Sequence, residues 1–181
     1  MWGIASSVSS GTTKTVRTVG LKYPAAIVTW SDGYVSSLLT GRSRLAAELN
    51  RLASLCPSSR TVLIGYSQGA HVIGDVTSNS NPNGLSTSAK SKIAAVFLTG
   101  DPSRRYGEPF NRGTGTGGGF LGNRAPGQLS GLGSRIISYC YKGDVFCDFA
   151  HVDLANGSTI HGSYGNTTLK SYASSFIRSK I

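Results

Sequence analysis

Two periods of hydrophobic residues follow each other along the chain. Short apolar or alternating runs, typical of β-strands, occur at 15–21, 61–64, 93–98 and 135–140. Apolar residues at helical spacing occur at 41–56, where Pro57 ends the pattern, at 68–76 and at 167–181. Residues 102–133 are almost all of loop-forming types. Strands that alternate with helices predict an α/β fold with a mainly parallel sheet.

The segment 65–69, Gly-Tyr-Ser-Gln-Gly, lies between the predicted strand 61–64 and the predicted helix 68–76. A G-x-S-x-G segment between a strand and a helix is typical of a nucleophile elbow, in which small residues permit a sharp turn and strain exposes the serine hydroxyl. We therefore predict Ser67 as a nucleophile, with the backbone N–H of Gln68 as an oxyanion donor. A merely structural turn is the alternative.

A serine nucleophile needs a base, and the chain has three histidines. His71 lies one helical turn after Ser67, so we expect it to pack within the helix, away from the hydroxyl. His151 and His161 both remain candidates, because each follows an aspartate in the order Ser, Asp, His that α/β-hydrolases use.

Several aspartates are candidates to orient that histidine. Asp144 is favoured because it follows the predicted strand 135–140, and α/β sheets place their sites beyond the carboxyl ends of strands. Asp101 follows the strand 93–98 in the same way, but Pro102 makes a structural turn an equal alternative there. Asp148 and Asp153 are weaker candidates, because the sequence gives neither of them a rigid frame.

Cys140 and Cys147 bracket Asp144 closely enough to join the two ends of one loop. In an oxidising compartment a disulfide here would hold Asp144 in place, whereas two buried free thiols are the alternative. A zinc site is disfavoured, because the histidines lack the usual ligand spacing. Cys56 is left without an obvious partner.

The chain of 181 residues carries 18 Lys and Arg against 8 Asp and Glu, a net charge of +10. Its length fits a single domain over residues 1–181. The basic residues are scattered, so no nucleic-acid partner is predicted, although a basic surface is attracted to anionic ones. We find no apolar run of membrane-spanning length and no signal peptide.

The glycines at 113–119 lack the strand and helix of a nucleotide site, so we predict a flexible surface loop there, and no metal or organic cofactor.

Several segments, in the same order, resemble the cutinase family, small lidless serine esterases of the α/β-hydrolase type that include acetylxylan esterases. The resemblance lies in Cys-Pro at 56–57 followed by the elbow at 62–70, in Leu-Thr-Gly-Asp-Pro at 98–102, in the cysteine-framed Gly-Asp at 140–147, and in His-Gly-Ser-Tyr-Gly at 161–165. It implies a three-layer sandwich with a central, mainly parallel sheet flanked by helices, a Cys140–Cys147 disulfide, and secretion. It also implies a Ser67–His161–Asp144 triad, because the family's catalytic histidine stands three residues before a Tyr-Gly pair.

The resemblance does not extend to the family's N-terminal part, where a cysteine and a first strand precede a hydroxyl residue that supplies the second oxyanion donor. Here the segment 15–21 corresponds to the family's second strand and Cys56 lacks its usual partner, so we interpret the chain as N-terminally shortened. In a sheet of order 2-1-3-4-5, the missing first strand would lie between the strands 15–21 and 61–64. We expect a monomer unless another chain supplies that strand.

The resemblance implies hydrolysis of carboxylic esters through an acyl-enzyme, with substrates among short acyl esters, cutin-like polyesters and envelope or polysaccharide esters. Six apolar residues could line an acyl groove or belong to the core: Phe97, Phe110, Phe120, Leu121, Phe146 and Phe149. A catalytically impaired relative that binds esters or glycans without turnover is the alternative, because the second oxyanion donor is unassigned.

Overall fold

Four parallel strands form one open sheet in the computed structural model, which describes residues 1–27 and 33–181. The strands are β1 (Thr61–Tyr66), β2 (Ile93–Thr99), β3 (Asn111–Gly113) and β4 (Ile136–Cys140). Their order across the sheet is β1-β2-β4-β3, and each neighbouring pair is parallel. The strands predicted at 61–64, 93–98 and 135–140 are confirmed within two residues, while the short β3 lies inside the segment predicted as loop.

Helices cover both faces of this sheet. They are α1 (Trp2–Ser10), α2 (Gly33–Leu55), α3 (Gln68–Thr77), α4 (Thr87–Ser91), α5 (Gly157–Gly162) and α6 (Thr167–Arg178), with 3₁₀ segments at Ser130–Arg135 and Phe149–His151. Helices α2 and α3 pack on one face, and α1 and α6 pack together on the other. The result is the expected three-layer α/β sandwich. In the described part of the chain, no helix is long and apolar enough to cross a membrane.

Strand β2 is buried along its whole length and separates two hydrophobic cores. Val96 and Leu98 belong to the core beneath α2 and α3, whereas Ala95 and Phe97 belong to the core beneath α1 and α6. Alternate side chains of a strand point to opposite faces, so a continuous apolar run is what a strand covered on both faces requires. Phe97 belongs to the core beneath α1 and α6, and Phe110 belongs to the core beneath α2 and α3, so the core alternative holds for both.

The predicted strand at 15–21 is wrong. Residues 11–27 form neither helix nor strand, although Leu21 and Tyr23 pack against the core beneath α2 and α3. Val19, an alternating apolar residue of that segment, is 64% exposed. Alternation favours a strand only where a neighbouring backbone completes the hydrogen-bond ladder. Within the described residues β1 pairs with β2 alone, so no such neighbour adjoins 15–21.

The glycine-rich segment 113–119, predicted as a flexible surface loop, is instead held by hydrogen bonds. The Gly115 N–H donates to the backbone of β4 at 2.9 Å, and the Gly117 N–H donates to the carboxylate of Asp148. The buried guanidinium of Arg104 donates to the carbonyls of both glycines. A side chain is excluded at Gly117, because a Cβ there would stand 2.7 Å from Asp148 Oδ1. The glycines therefore permit close packing.

Candidate active site

Ser67 stands at the sharp turn between β1 and α3. Its backbone has φ 53° and ψ −124°, a positive φ that costs a non-glycine residue free energy and is typical of a nucleophile elbow. Gly65 has no room for a side chain, because a Cβ there would lie 2.8 Å from the Cα of Ala70. Gly69 differs, since a Cβ at that position would meet only the Tyr23 hydroxyl, at 3.7 Å. The predicted need for small residues holds on the strand side of the serine.

The imidazole of His161, carried by α5, lies between Ser67 and a buried carboxylate. Its Nε2 is 2.9 Å from Ser67 Oγ, and its Nδ1 is 2.9 Å from Asp144 Oδ2. Because an ionised carboxylate only accepts hydrogen bonds, the imidazole proton belongs on Nδ1, which leaves Nε2 free to accept from the serine hydroxyl. The structure thus brings together the three residues that the sequence singled out.

Asp144 follows β4 and is fully buried. Its Oδ1 accepts the N–H groups of Phe146 at 2.7 Å and Cys147 at 3.1 Å, and its Oδ2 accepts the hydroxyl of Tyr164 at 2.7 Å. Burial alone would raise the pKa of Asp144, but the hydrogen bonds from His161, Tyr164 and the backbone outweigh it and hold the pKa below its usual range. At neutral pH Asp144 therefore carries its charge next to the imidazole.

The loop that carries Asp144 is closed by a disulfide between Cys140 and Cys147. Both half-cystines are fully buried, so the alternative of two free thiols does not apply. Asp148, just beyond the disulfide, is also fully buried and accepts the Gly143 N–H at 2.8 Å. Residues 140–148 therefore form a tightly bonded acid loop around the carboxylate. Cys56 is an exposed free cysteine.

Two aromatic rings hold the imidazole of His161 from its sides. The Tyr66 ring lies 4.9 Å from it, and the Tyr66 hydroxyl donates to the His161 carbonyl at 2.9 Å. Phe146 meets it edge-on at 4.5 Å. Gly100, at the end of β2, completes the enclosure, because a Cβ there would stand 2.8 Å from His161 Cε1. The orientation of the ring is fixed by packing as well as by hydrogen bonds.

Gln68 is the first residue of α3, where the N–H groups of a helix point outward. The residue is only 5% exposed, and its side chain is bonded to α2. The amide Nε2 donates to the Tyr34 carbonyl at 3.2 Å, and Oε1 accepts the Ser37 hydroxyl at 2.8 Å. These contacts with α2 fix the orientation of the peptide that we predict as an oxyanion donor. The second donor stays unassigned.

The expectation that His71 is a packing residue is confirmed. It is buried, and its two ring nitrogens lie 3.1 Å from the hydroxyls of Tyr34 and Ser103. Asp101 is buried nearby, where it forms an ion pair with Arg124 and accepts the Ser103 N–H at 3.0 Å. The structural interpretation of Asp101 is therefore the correct one.

His151, the second candidate base, lies outside this arrangement. Its side chain is 47% exposed, and its Nδ1 lies 3.3 Å from Asp148 Oδ1. The expectation that Asp148 lacks a rigid frame is wrong, since this carboxylate also accepts the N–H groups of Gly117 and Gly143. Sequence patterns did not reveal these two hydrogen bonds, because Gly117 and Gly143 both lie outside the turn that contains Asp148. Asp153 is half-buried and accepts backbone N–H groups of its own turn.

Apolar side chains continue outward from the imidazole. Phe146 packs edge-on against Phe120 at 6.2 Å, and Phe120 packs against Phe149 at 4.9 Å. Phe120, Leu121 and Phe149 remain 40%, 39% and 46% exposed. We call the three phenylalanines 120, 146 and 149, together with the adjacent Leu121, the aromatic ridge. Four of the six predicted groove residues thus lie in the ridge, one of them against His161, and the other two lie in the core.

The sequence of this chain is similar to those of known esterases over most of its length. A family model described as Cutinase matches residues 3–181. The chain belongs to the cutinase family. It is similar to Cutinase 11 of Verticillium dahliae, with 33% identity over 159 residues that cover 82% of this chain and 51% of that protein. It is 32% identical to acetylxylan esterase 2 of Talaromyces purpureogenus over 194 residues, which cover 99% of this chain and 76% of that protein.

Solved structures agree with this assignment to the cutinase family. An acetylxylan esterase structure superposes with a TM-score of 0.81 at 31% identity, over 99% of this chain and 88% of that one. The resemblance inferred from the sequence is confirmed, and so is the α/β-hydrolase type of fold. The chain spans about half of the length of Cutinase 11.

The sequence of this cutinase-family chain did not identify three residues that position the histidine and the aspartate of the site. Tyr66 and Tyr164 hold the histidine and the aspartate, and Gly100 leaves space for the imidazole. Each one lies inside a segment that carried the resemblance or within the elbow. The spacing of Tyr164, three residues after His161, was a usable signal, whereas the contact of Gly100 with His161 joins residues far apart in the chain.

Proposed function

We propose that residues 1–181 act as one serine esterase domain that hydrolyses carboxylic esters through an acyl-enzyme. The observation that carries this proposal is the continuous chain of contacts from Ser67 Oγ to His161 Nε2, at 2.9 Å, and from His161 Nδ1 to Asp144 Oδ2, at 2.9 Å. A nucleophile, a base and an acid with these distances are what acyl transfer by serine requires. Membership of the cutinase family supports the same reaction class.

In the acylation half-reaction, Ser67 Oγ attacks the ester carbonyl carbon while His161 Nε2 takes the hydroxyl proton. Asp144 stabilises the imidazolium that forms and holds its Nδ1 proton in place. The negative charge that develops on the carbonyl oxygen lies at the start of α3, next to the N–H of Gln68. Collapse of the tetrahedral intermediate breaks the C–O bond, and the alcohol leaves with the proton that His161 returns.

Deacylation repeats these steps with water. His161 Nε2 removes a proton from a water molecule that attacks the acyl carbon, and the proton then passes to Ser67 Oγ as the carboxylic acid is released. Both half-reactions use one base in one position, so the packing of Tyr66 and Phe146 against the imidazole serves each of them.

The substrates that we propose are short acyl esters, cutin-like polyesters, or acylated polysaccharide and envelope esters. Similarity to a cutinase and to acetylxylan esterases supports this range. The aromatic ridge offers an apolar wall beside the imidazole, which suits an acyl chain or another apolar ester group. We also propose that the protein works in an oxidising, extracellular compartment, because the acid loop depends on a disulfide.

The test is hydrolysis of p-nitrophenyl butyrate by the 181-residue chain and by two variants. Ser67→Ala should abolish turnover, whereas Ser59→Ala, at an exposed serine after α2, should retain it. Full activity in Ser67→Ala would refute the proposed nucleophile. Absence of turnover in the wild-type chain would favour the alternative of a module that binds esters or glycans without hydrolysis.

A further inference from the structure

Tyr164 lies in the turn between α5 and α6, three residues after His161. It is only 1% exposed, and its ring stacks on that of Tyr141 with centroids 4.9 Å apart and an angle of 22° between the planes. This stacking points its hydroxyl into the middle of the acid loop. A single short segment, residues 161–164, thus delivers two side chains to one carboxylate.

The hydroxyl of Tyr164 contacts three parts of the acid loop. Its oxygen accepts the Tyr141 N–H at 3.0 Å and lies 3.2 Å from Cys147 Sγ. Its proton is donated to Asp144 Oδ2 at 2.7 Å. The direction of this last bond is fixed, because an ionised carboxylate has no proton to give and the tyrosine oxygen already accepts from the backbone.

We propose that Tyr164 is a positioning residue for ester hydrolysis, which holds Asp144 Oδ2 in line with His161 Nδ1 and limits how strongly the carboxylate attracts the imidazole proton. This inference rests on the proposed function of the same site. The hydroxyl and His161 Nδ1 share Oδ2, at 2.7 and 2.9 Å. A carboxylate oxygen that already accepts a hydrogen bond from a hydroxyl is less basic, and it therefore binds the imidazole proton less tightly.

The surroundings support a role beyond packing. Burial, followed by the charge of Asp144, raises the pKa of Tyr164 well above its usual range, so the phenol remains a donor. The titratable groups that interact with the carboxylate are His161, Tyr164 and Tyr66. Tyr141 and the charged Arg104 interact with the phenol of Tyr164. None of these neighbours other than Tyr164 offers a hydroxyl to Asp144 within the described residues.

The experiment compares the wild-type chain with Tyr164→Phe, which keeps the stacked ring and removes the hydroxyl. The control is Thr77→Val, which removes another buried hydroxyl, bonded to the Ile73 carbonyl at 2.7 Å at the end of α3. Two readouts are taken on each protein: the pH profile of kcat and KM for p-nitrophenyl butyrate, and an NMR titration of the labelled His161 ring.

In Tyr164→Phe we expect kcat to fall about tenfold with KM changed less than about twofold, because Asp144 is no longer held in line with the imidazole during the reaction. The acidic limb of the profile, and the NMR midpoint of the His161–Asp144 pair, should move up by about half a pH unit to one unit. Thr77→Val should lower Tm by a few degrees and leave both readouts unchanged. Incorporation of 3-fluorotyrosine at position 164, a stronger donor, should move the NMR midpoint downward.

An unchanged NMR midpoint in Tyr164→Phe, with a loss of Tm like that of Thr77→Val, would overturn the inference and leave Tyr164 a packing residue. Should Tyr164→Phe fail to fold, an unchanged midpoint in the fluorotyrosine protein would overturn it equally. The NMR titration does not depend on turnover. An inactive wild-type chain whose midpoint shifts in Tyr164→Phe would therefore refute the proposed function but support the contact with Tyr164.

Discussion

Two buried aspartates follow neighbouring parallel strands, and their surroundings differ in one respect. Asp101 follows β2 and Asp144 follows β4, and the two are 1% and 0% exposed. Asp101 forms an ion pair with the buried guanidinium of Arg124, which also pairs with Asp75 at 3.1 Å. Asp144 has no arginine or lysine partner within the described residues and is bonded to N–H groups, a phenol and the imidazole of His161.

This difference separates a structural carboxylate from one that can serve in a reaction. Arg124 carries a permanent positive charge, so the charge of Asp101 is already neutralised and cannot respond to an event at the site. The charge of Asp144 is held by neutral donors, so it remains available when His161 gains a proton. Asp101 and Asp144 both follow the carboxyl end of a strand, and only the side chains and N–H groups around each carboxylate distinguish them.

The largest effect is expected from Asp144→Asn. An amide in this position can donate to His161 Nδ1, which forces the imidazole proton to Nε2 and leaves Ser67 without an acceptor. We expect kcat to fall by about 10⁴, measured with p-nitrophenyl butyrate. Asp153→Asn, at a half-buried carboxylate outside the triad, is the control and should keep kcat within about twofold. A variant Asp144→Asn with more than a tenth of the wild-type kcat would refute the role of the carboxylate.

Arg124→Leu tests the other aspartate cluster. The substitution leaves the buried Asp101 without its cation, whereas the partly exposed Asp75 keeps Arg42 at 3.5 Å. We therefore expect a loss of about 3–5 kcal/mol in the free energy of unfolding, which comes from Asp101. Urea denaturation measures this loss, and kcat of the folded fraction should change less than about threefold. A fall in kcat as large as that of Asp144→Asn would show that the two clusters are not functionally distinct.

Gly100→Ala sharpens the comparison at the end of β2, where the chain turns toward Asp101. The new Cβ would lie 2.8 Å from His161 Cε1 and would displace the ring. We expect kcat to fall about 100-fold, as for a misplacement of about 1 Å. The control is Gly84→Ala, because Gly84 has a similar φ of 67° against 59° but nothing within 4 Å of its Cβ. Equal activity losses in the two variants would point to backbone strain instead of contact.

The smallest effect concerns the pH dependence of stability. Burial lowers the pKa of His71 from 6.5, against the opposing charges of Asp101 and Asp75. The unfolded chain thus binds a proton near pH 6.5 before the folded one does, so this contribution to stability is present above pH 6.5 and is lost as the pH falls through the folded pKa.

The measurement for His71 compares unfolding free energies of wild type and His71→Gln between pH 7 and 5. The wild-type chain should lose more stability over this range than the variant. Asp144 adds nothing to that slope, because its lowered pKa makes its contribution fall only at pH values below its ordinary 3.8. Parallel curves for the two proteins would contradict the buried, neutral state of His71.

Much of the fold and of the site was predictable from local patterns. The apolar run of β2 and the elbow around Ser67 are specified by residues that neighbour each other in the chain, and the order of Ser67, Asp144 and His161 matched a known family. The segment 15–21 was not predictable in this way, because its alternation does not indicate whether a partner strand adjoins it. The contacts of Arg124, Gly100 and the glycine-rich segment were also hidden, since they join residues distant in sequence.

The most direct test of the account is intact-mass spectrometry after treatment with a fluorophosphonate probe, followed by peptide mapping. The geometry of Ser67, His161 and Asp144 predicts a single adduct on Ser67 in the wild-type chain and none in Ser67→Ala or Asp144→Asn on the same timescale. An adduct on another residue, or no adduct on the folded wild-type chain, would contradict the claim that Ser67 is an activated nucleophile.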